Sequence, residues 1–389
     1  MIPRRTVAAM AVGCGLAVAN LYYAQPLLAS LGKAFGASDR SMGLAATLSQ
    51  VGYALGMLGL VPLGDRVERR GLILGMLGAS ALALLGMGLA PSYPAFAVAS
   101  LLVGITTITP QLLVPFAASL AAPEERGKVV GTVMSGLLIG ILLARTASGL
   151  VDAWLGWRAV FLLASALMLA LAGALRFALP RSVPEPTGLT YLGLLRSLIG
   201  LVREERVLRE SCLFGAAMFA AFSILWTDLA FHLAKPPFAF GPGMIGLFGL
   251  IGVVGALAAP LAGRLADAGS PRRTIGLGFA VVLASYAVFY LGGGTVAGLG
   301  VGVIGLDLGA QAGHISNQSR IFAVRPEARS RMNTVYMVSS FTGAASGAAL
   351  GSLAWGRIGW PGVCLAGAGV AALGLLAFAL TARRGSRPA

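Results

Sequence analysis

The sequence predicts an all-α polytopic membrane protein with twelve transmembrane helices in two six-helix halves. Three observations predict it: an apolar composition, basic residues confined to alternate loops, and an internal repeat. Of 389 residues, 57% are hydrophobic and 11% charged, against about 25% charged in soluble domains. The mean hydropathy is +0.85, which excludes a water-soluble enzyme. The 55 glycines are about twice the usual share, as expected where helices pack closely in lipid. Twelve spans at about 20 residues each take about 240 residues, and the remainder suffices for short loops but not for a soluble domain.

The apolar runs follow in order. The first, 6–30, comes after Arg4 and Arg5. Its Ala17-Val18-Ala19 has the form of a signal-peptidase site, but the run continues to Leu31 and has a counterpart later in the chain, so an uncleaved first span is expected. The second, 42–63, ends at Gly64-Asp65; the third is 72–90, and the fourth, 95–121, ends before Pro123. The fifth and sixth, 129–151 and 159–179, flank Gly156-Trp157. After a polar stretch come 210–233, 243–262, 275–292, 295–322 and 333–356, and the last, 361–382, follows Gly359-Trp360.

Charge orients these spans. The net charge of +15 would suit nucleic acid, but the basic residues are distributed by loop. The N-terminus, the even-numbered loops and the C-terminus hold 23 of the 29, whereas the other side has only Lys33, Arg40, Arg158, Lys235 and Arg357, and Arg145 lies within a span. By the positive-inside rule both termini are cytoplasmic. The basic balance reports topology, and no nucleic-acid partner is expected. Cys14, Cys212 and Cys364 fall in apolar runs without metal-ligand spacing, so they read as buried thiols.

Three landmarks recur in order. Gly64-Asp65-Arg66 with Arg69-Arg70 follows the second span, and Ala266-Asp267 with Arg272-Arg273 follows the eighth, the aspartates 202 residues apart. Pro123-Glu124-Glu125-Arg126 and Pro326-Glu327-Ala328-Arg329 are 203 apart, as are Gly156-Trp157 and Gly359-Trp360. Two parallel halves result, 1–180 and 210–389. The linker, 181–209, carries Leu194, Leu195, Leu198, Ile199 and Val202 at helical spacing before Arg203-Glu204-Glu205-Arg206. It reads as either an amphipathic helix on the cytoplasmic surface or a plain solvated linker.

This architecture resembles the major facilitator superfamily along the whole chain. Leu63-Gly64-Asp65-Arg66-Val67-Glu68-Arg69-Arg70 is similar to its cytoplasmic signature Gly-x-Leu-Ala-Asp-Arg-x-Gly-Arg-Arg, with Val61 for the opening glycine and Glu68 for the inner one. The second copy, Gly263 to Gly269, keeps the opening glycine and has Ala268 where a base is usual. A carboxylate here can cap the next helix and pair with arginines of a neighbouring helix. Asp65, Arg66, Arg69, Arg70, Asp267, Arg272 and Arg273 are therefore candidates for a gating network that biases which face is open. The bland alternative is local charge balance at a loop. The fifth span, with Gly131, Gly140, Ala144, Arg145, Ser148 and Gly149, resembles the Gly-x8-Gly-x3-Gly-Pro-x2-Gly-Gly pattern of the superfamily's drug–proton antiporters. Arg145 replaces the proline, so the proline kink is not implied. Ser100 stands where those antiporters carry a fourth-span arginine.

Ionisable groups within spans are functional candidates by default. Asp307 lies about 20 Å from the outer end of its span, and Arg145 about 25 Å into its own, at 1.5 Å per residue. Gln311, His314 and Gln318 follow Asp307 at i+4, i+7 and i+11 on one face, with Asn317 beside them. Asp228 lies toward the outer end of the seventh span, within reach of interfacial water. Desolvation favours the neutral form of a carboxyl and a nearby arginine the ionised form, and histidine titrates near physiological pH. Asp307, Arg145, His314 and Asp228 are therefore the proton-coupling candidates. The resemblance implies that the first, fourth, seventh and tenth spans line the transport path. It thereby makes Asn20, Tyr23, Gln25, Gln111, Trp226, Gln311, Asn317 and Gln318 substrate-binding candidates, with Tyr22 read as an interfacial aromatic. Aromatic and amide groups suit a small, mildly polar organic substrate.

The expected function is a proton-coupled exporter of small organic molecules in the inner membrane, monomeric, driven by the proton gradient and without cofactor. Substrate–proton symport would use the same carboxylate. An intramembrane enzyme or sensor would need a nucleophile–base pair, a metal cluster or an added domain, none of which the sequence supplies. A Gly-x4-Gly-Lys-Ser/Thr loop for ATP is lacking as well.

Overall fold

A computed structural model describes residues 3–122, 124–183, 190–252, 270–325 and 328–385. All regular structure among them is helical. In chain order the helices are α1 (Arg4–Ala19), α2 (Leu28–Phe35), α3 (Asp39–Leu60), α4 (Arg69–Gly88), α5 (Tyr93–Thr106), α6 (Thr109–Leu120), α7 (Arg126–Leu155), α8 (Trp157–Ala178), α9 (Tyr191–Glu204) and α10 (Arg206–Leu233). Then come α11, described over Pro242–Gly252, and α12 (Pro271–Gly292), α13 (Val296–Val324), α14 (Arg329–Ile358) and α15 (Trp360–Gly385). Nine stretches among the described residues are long and apolar enough to cross a membrane, so this is an all-α polytopic membrane protein.

One expected span is broken, and another is interrupted within its length. The first, expected to be continuous over 6–30, stops at Ala19, turns through Asn20 to Ala24, and resumes as a short 3-10 turn (Gln25–Leu27) and α2. Pro26 favours a helix start and lacks the N–H that a continuous helix would use. The fourth, expected over 95–121, is one apolar span, Tyr93–Leu120, whose helix is interrupted at Thr107 just ahead of Pro110 in α6. The linker forms the helix α9 and buries Leu194, Leu198 and Leu201, while Ile199 is exposed. Arg209 donates to Val202 O at 2.8 Å and Arg203 O at 2.6 Å, capping that helix.

The repeated Gly-Trp landmarks have one structural cause. Gly156 (φ +80°, ψ 161°) and Gly359 (φ +71°, ψ −147°) are each the single residue between two helices, α7 to α8 and α14 to α15. This backbone region is essentially restricted to glycine.

The chain forms two compact units. The first comprises 1–37, 48–197 and 240–249, the second 38–47, 198–239 and 250–389. The segments 38–47 and 240–249 are offset by 202 residues, as Asp65 and Asp267 are. In the first unit α1 packs on α7 and α4 on α8; in the second α10 packs on α14 and α12 on α13. The approach is backbone to backbone at small residues: Gly140 lies on Gly15 of α1, and Gly347 on Ala220 of α10. Of the fifth-span glycines, Gly140 and Gly149 each meet a neighbouring backbone, whereas Gly131 faces open space.

Candidate functional site

In the first unit, α7 presents Arg145, 2% exposed. Its Nε donates to Gln25 Oε1 at 2.7 Å, and its guanidinium lies 4.9 Å from the centre of the Tyr22 ring. A buried guanidinium needs such partners, because its N–H groups lose water on burial. Tyr22, read as an interfacial aromatic, is thus a buried partner of Arg145. Asn20 Nδ2 approaches Met168 Sδ at 3.3 Å, and Gln111 donates to Tyr53 Oη at 3.1 Å. Tyr23 is buried on the same turn as Asn20 and Gln25. Ser100, at the aligned arginine position, donates to Phe96 O.

The signature loop also lies in this unit. Asp65 ends a 3-10 turn (Val61–Asp65), and Arg66 follows it, exposed. The cap of α4 is Glu68 rather than Asp65: its carboxylate accepts Gly71 N–H at 2.6 Å and Arg70 N–H at 3.0 Å. Asp65 sits too far ahead of the helix for that role, and Glu68 occupies the N-cap position itself. Ser182 N–H adds a third bond at 3.2 Å. Partial burial favours the neutral acid, but these N–H groups and the Arg70 charge hold the Glu68 carboxyl below its ordinary range. Arg69 donates to Gly64 O and Ser119 Oγ, and Arg70 to Leu179 O.

In the second unit, Asp307 on α13 is 3% exposed and accepts Trp226 Nε1 of α10 at 3.2 Å. Gly252 makes room for it, since a Cβ there would collide with the carboxylate. The predicted stripe continues on α13 toward α10 and α14. His314 Nδ1 pairs with Tyr336 Oη at 2.9 Å and packs against Phe219, and Gln318 donates to Asn333 Oδ1 at 3.1 Å. Asn317 is buried and donates to Gly313 O, while Gln311 is half-buried. Asp228 does not reach water: it is 0% exposed, because Gly351 and Ser352 of α14 cover it.

Of the second loop copy, Asp267 lies outside the described residues and Arg273 is exposed. Arg272 joins a cluster that sequence reasoning missed. Glu210 on α10 takes Arg206 at 3.0 Å, Arg272 at 3.2 Å and Arg320 at 2.9 Å. The Arg206–Glu210 spacing of four residues was a usable signal; the other two partners are remote in sequence. Among the described residues no group of three or more His, Cys, Asp or Glu has metal-site geometry.

Ionisable side chains buried within apolar helices are functional candidates by default, whereas buried amides and aromatics also serve helix packing. The Major Facilitator Superfamily model matches residues 10–319, and the chain belongs to that superfamily of secondary transporters. It is 46% identical over 346 residues to the uncharacterised transporter YgaY of Escherichia coli O157:H7, covering 89% of this chain and 88% of that one. It is 34% identical over 342 residues to the probable transporter SCO4007 of Streptomyces coelicolor, covering 88% and 79%. Among solved structures, the fold is similar to a bacterial homologue of the human lysosomal transporter Spinster (TM-score 0.77, 15% identity, 97% of this chain and 96% of that one). It is likewise similar to the nucleoside transporter NupG (TM-score 0.76, 14% identity, 97% and 99%). The chain is a transporter, not an enzyme.

Proposed function

We propose that this transporter exports small organic molecules across the inner membrane by proton-coupled antiport, as a monomeric member of the drug–proton antiporter-like group. In this reading it has twelve spans with both termini cytoplasmic, in halves 1–180 and 210–389 joined by the cytoplasmic linker 181–209. Asp307 exchanges the proton, with Arg145, His314 and Asp228 as the other ionisable groups of the path. Asn20, Tyr23, Gln25, Gln111, Trp226, Gln311, Asn317 and Gln318 contact the substrate. Asp65 with Arg66, Arg69 and Arg70, and Asp267 with Arg272 and Arg273, bias the cytoplasmic gate.

The observation that carries the reading is the buried Asp307 bonded to Trp226. Gradient-driven transport needs a group that binds the ion differently in the two open states. A carboxylate whose donor comes from another helix changes its environment whenever those helices shift. A thermal-shift screen of small organic molecules on the purified chain supplies a labelled solute. Its accumulation is then followed in right-side-out and everted vesicles under an imposed pH gradient. The expected result is proton-driven export that Asp307→Asn abolishes while solute exchange survives. Accumulation by the variant with normal pH dependence would remove Asp307 from coupling, and accumulation in the direction of the proton flux would replace antiport with symport.

A further inference from the structure

Asp228 on α10 is the most deeply buried carboxyl among the described residues, and neither of its oxygens accepts a hydrogen bond there. An ionised carboxylate in such a place is among the costliest groups a fold can hold. Its polar neighbour is Ser352 on α14, whose hydroxyl donates its one proton to Ala348 O at 2.9 Å. With that proton engaged, Ser352 has none to give an ionised carboxylate, whereas its oxygen can accept one from a protonated Asp228. Gly351 leaves the space, since a Cβ there would collide with Asp228 Oδ2.

The surrounding ionisable groups are engaged elsewhere. On α12, Tyr286 donates to Ala221 O at 2.5 Å. One turn along α10, His232 Nε2 bonds Gly293 O at 2.8 Å, and its ring stacks on Trp360 at 4.0 Å. Beyond the end of α10, Lys235 pairs with Asp39 of α3 at 2.7 Å and lies over Trp355 at 4.8 Å. Asp39 Oδ2 also accepts Trp355 Nε1 at 3.0 Å. Asp39 is at once an electrostatic neighbour of Asp228 and the centre of a closed latch of Lys235 and Trp355.

We propose that Asp228 is a proton-holding site, a neutral carboxylic acid in this conformation, whose exchange with water is governed by the latch of Asp39 with Lys235 and Trp355. On release the O–H bond breaks, the electron pair stays on the carboxylate and the proton passes to water. The latch is set to respond to the cycle, because α3 leaves the second unit after Thr47 and continues in the first. The proposal rests on the proton-coupled reading and adds to it a second site and its gate.

Infrared spectroscopy of the purified full chain near neutral pH tests it without any substrate. The carboxylic-acid C=O band of Asp228 should be lost in Asp228→Asn and retained in Asp307→Asn. In D2O its exchange shift should be about tenfold faster in Asp39→Ala, the factor that one ion pair and one indole hydrogen bond supply together. Should Asp228→Asn fold poorly, Ser352→Ala gives a second readout: an upward shift in the frequency of the same band as the acid loses its acceptor. A band unchanged in Asp228→Asn or in Ser352→Ala overturns the site, and equal exchange rates overturn the gate. If the band behaves as expected while no pH gradient drives transport, the coupling reading fails and the site stands.

Discussion

Arg145 Nε and Gln25 Oε1 meet at 2.7 Å, tying the C-terminal half of α7 to the break in the first span. The bond gives that break a purpose: the turn brings an amide to a buried cation. Replacing Gln25 with alanine removes an acceptor from a charged donor, a loss of about 2 kcal/mol. It should appear as a lower Tm in detergent, and Gln25→Glu should restore it. Equal Tm values for wild type and Gln25→Ala would dismiss the bond as a stabilising element.

Glu68 gives a pH-dependent prediction. Its folded carboxyl ionises below the ordinary value, so its stabilisation is fully present above the unfolded carboxylate value and is lost as pH falls through the folded one. Glu68→Ala should lower stability by about 1 kcal/mol near neutral pH, and by less in acid. Urea denaturation at two pH values reads the difference, and a pH-independent deficit would mean that the carboxylate does not act as a charged cap.

Glu210 binds three guanidiniums with its side chain 8% exposed. Removing the shared anion leaves cations facing one another, and Glu210→Gln should cost about 3 kcal/mol. Arg206→Ala should cost far less, since that side chain is 52% exposed. Comparable Tm losses for the two variants would contradict a buried hub.

The orientation can be read from two single cysteines. Ser38 precedes α3 and Ser182 lies between α8 and α9. With cytoplasmic termini, an impermeant maleimide should label Ser38→Cys but not Ser182→Cys in intact cells. The opposite pattern would invert the topology.

The Gly-Trp repeats and the stripe from Asp307 to Gln318 were legible because each is local: a one-residue joint and a 3.6-residue period. The partners of the stripe were not. A period on one helix names a face but not the helix opposite, so Trp226, Tyr336 and Asn333 emerge only with the packing. The break in the first span was hidden for another reason. Leu21, Tyr22, Tyr23 and Ala24 are as apolar as a helix interior, and hydropathy does not distinguish a buried turn from a buried helix. The cover over Asp228 was not legible because distance along a span says nothing about a neighbour, here Gly351 and Ser352 of α14.

The exchanged segments 38–47 and 240–249 bear on how the chain is made. Synthesis proceeds from the N-terminus, so the first unit lacks its own residues 240–249 until most of the chain has left the ribosome. Residues 38–47 wait longer still, made early yet belonging to a unit that begins in earnest at Leu198. Neither unit is complete until both halves of the chain are made. A chain severed within 181–209 would yield two fragments, each holding ten residues the other needs, so that recovery of the fold depends on both fragments being inserted into the same membrane.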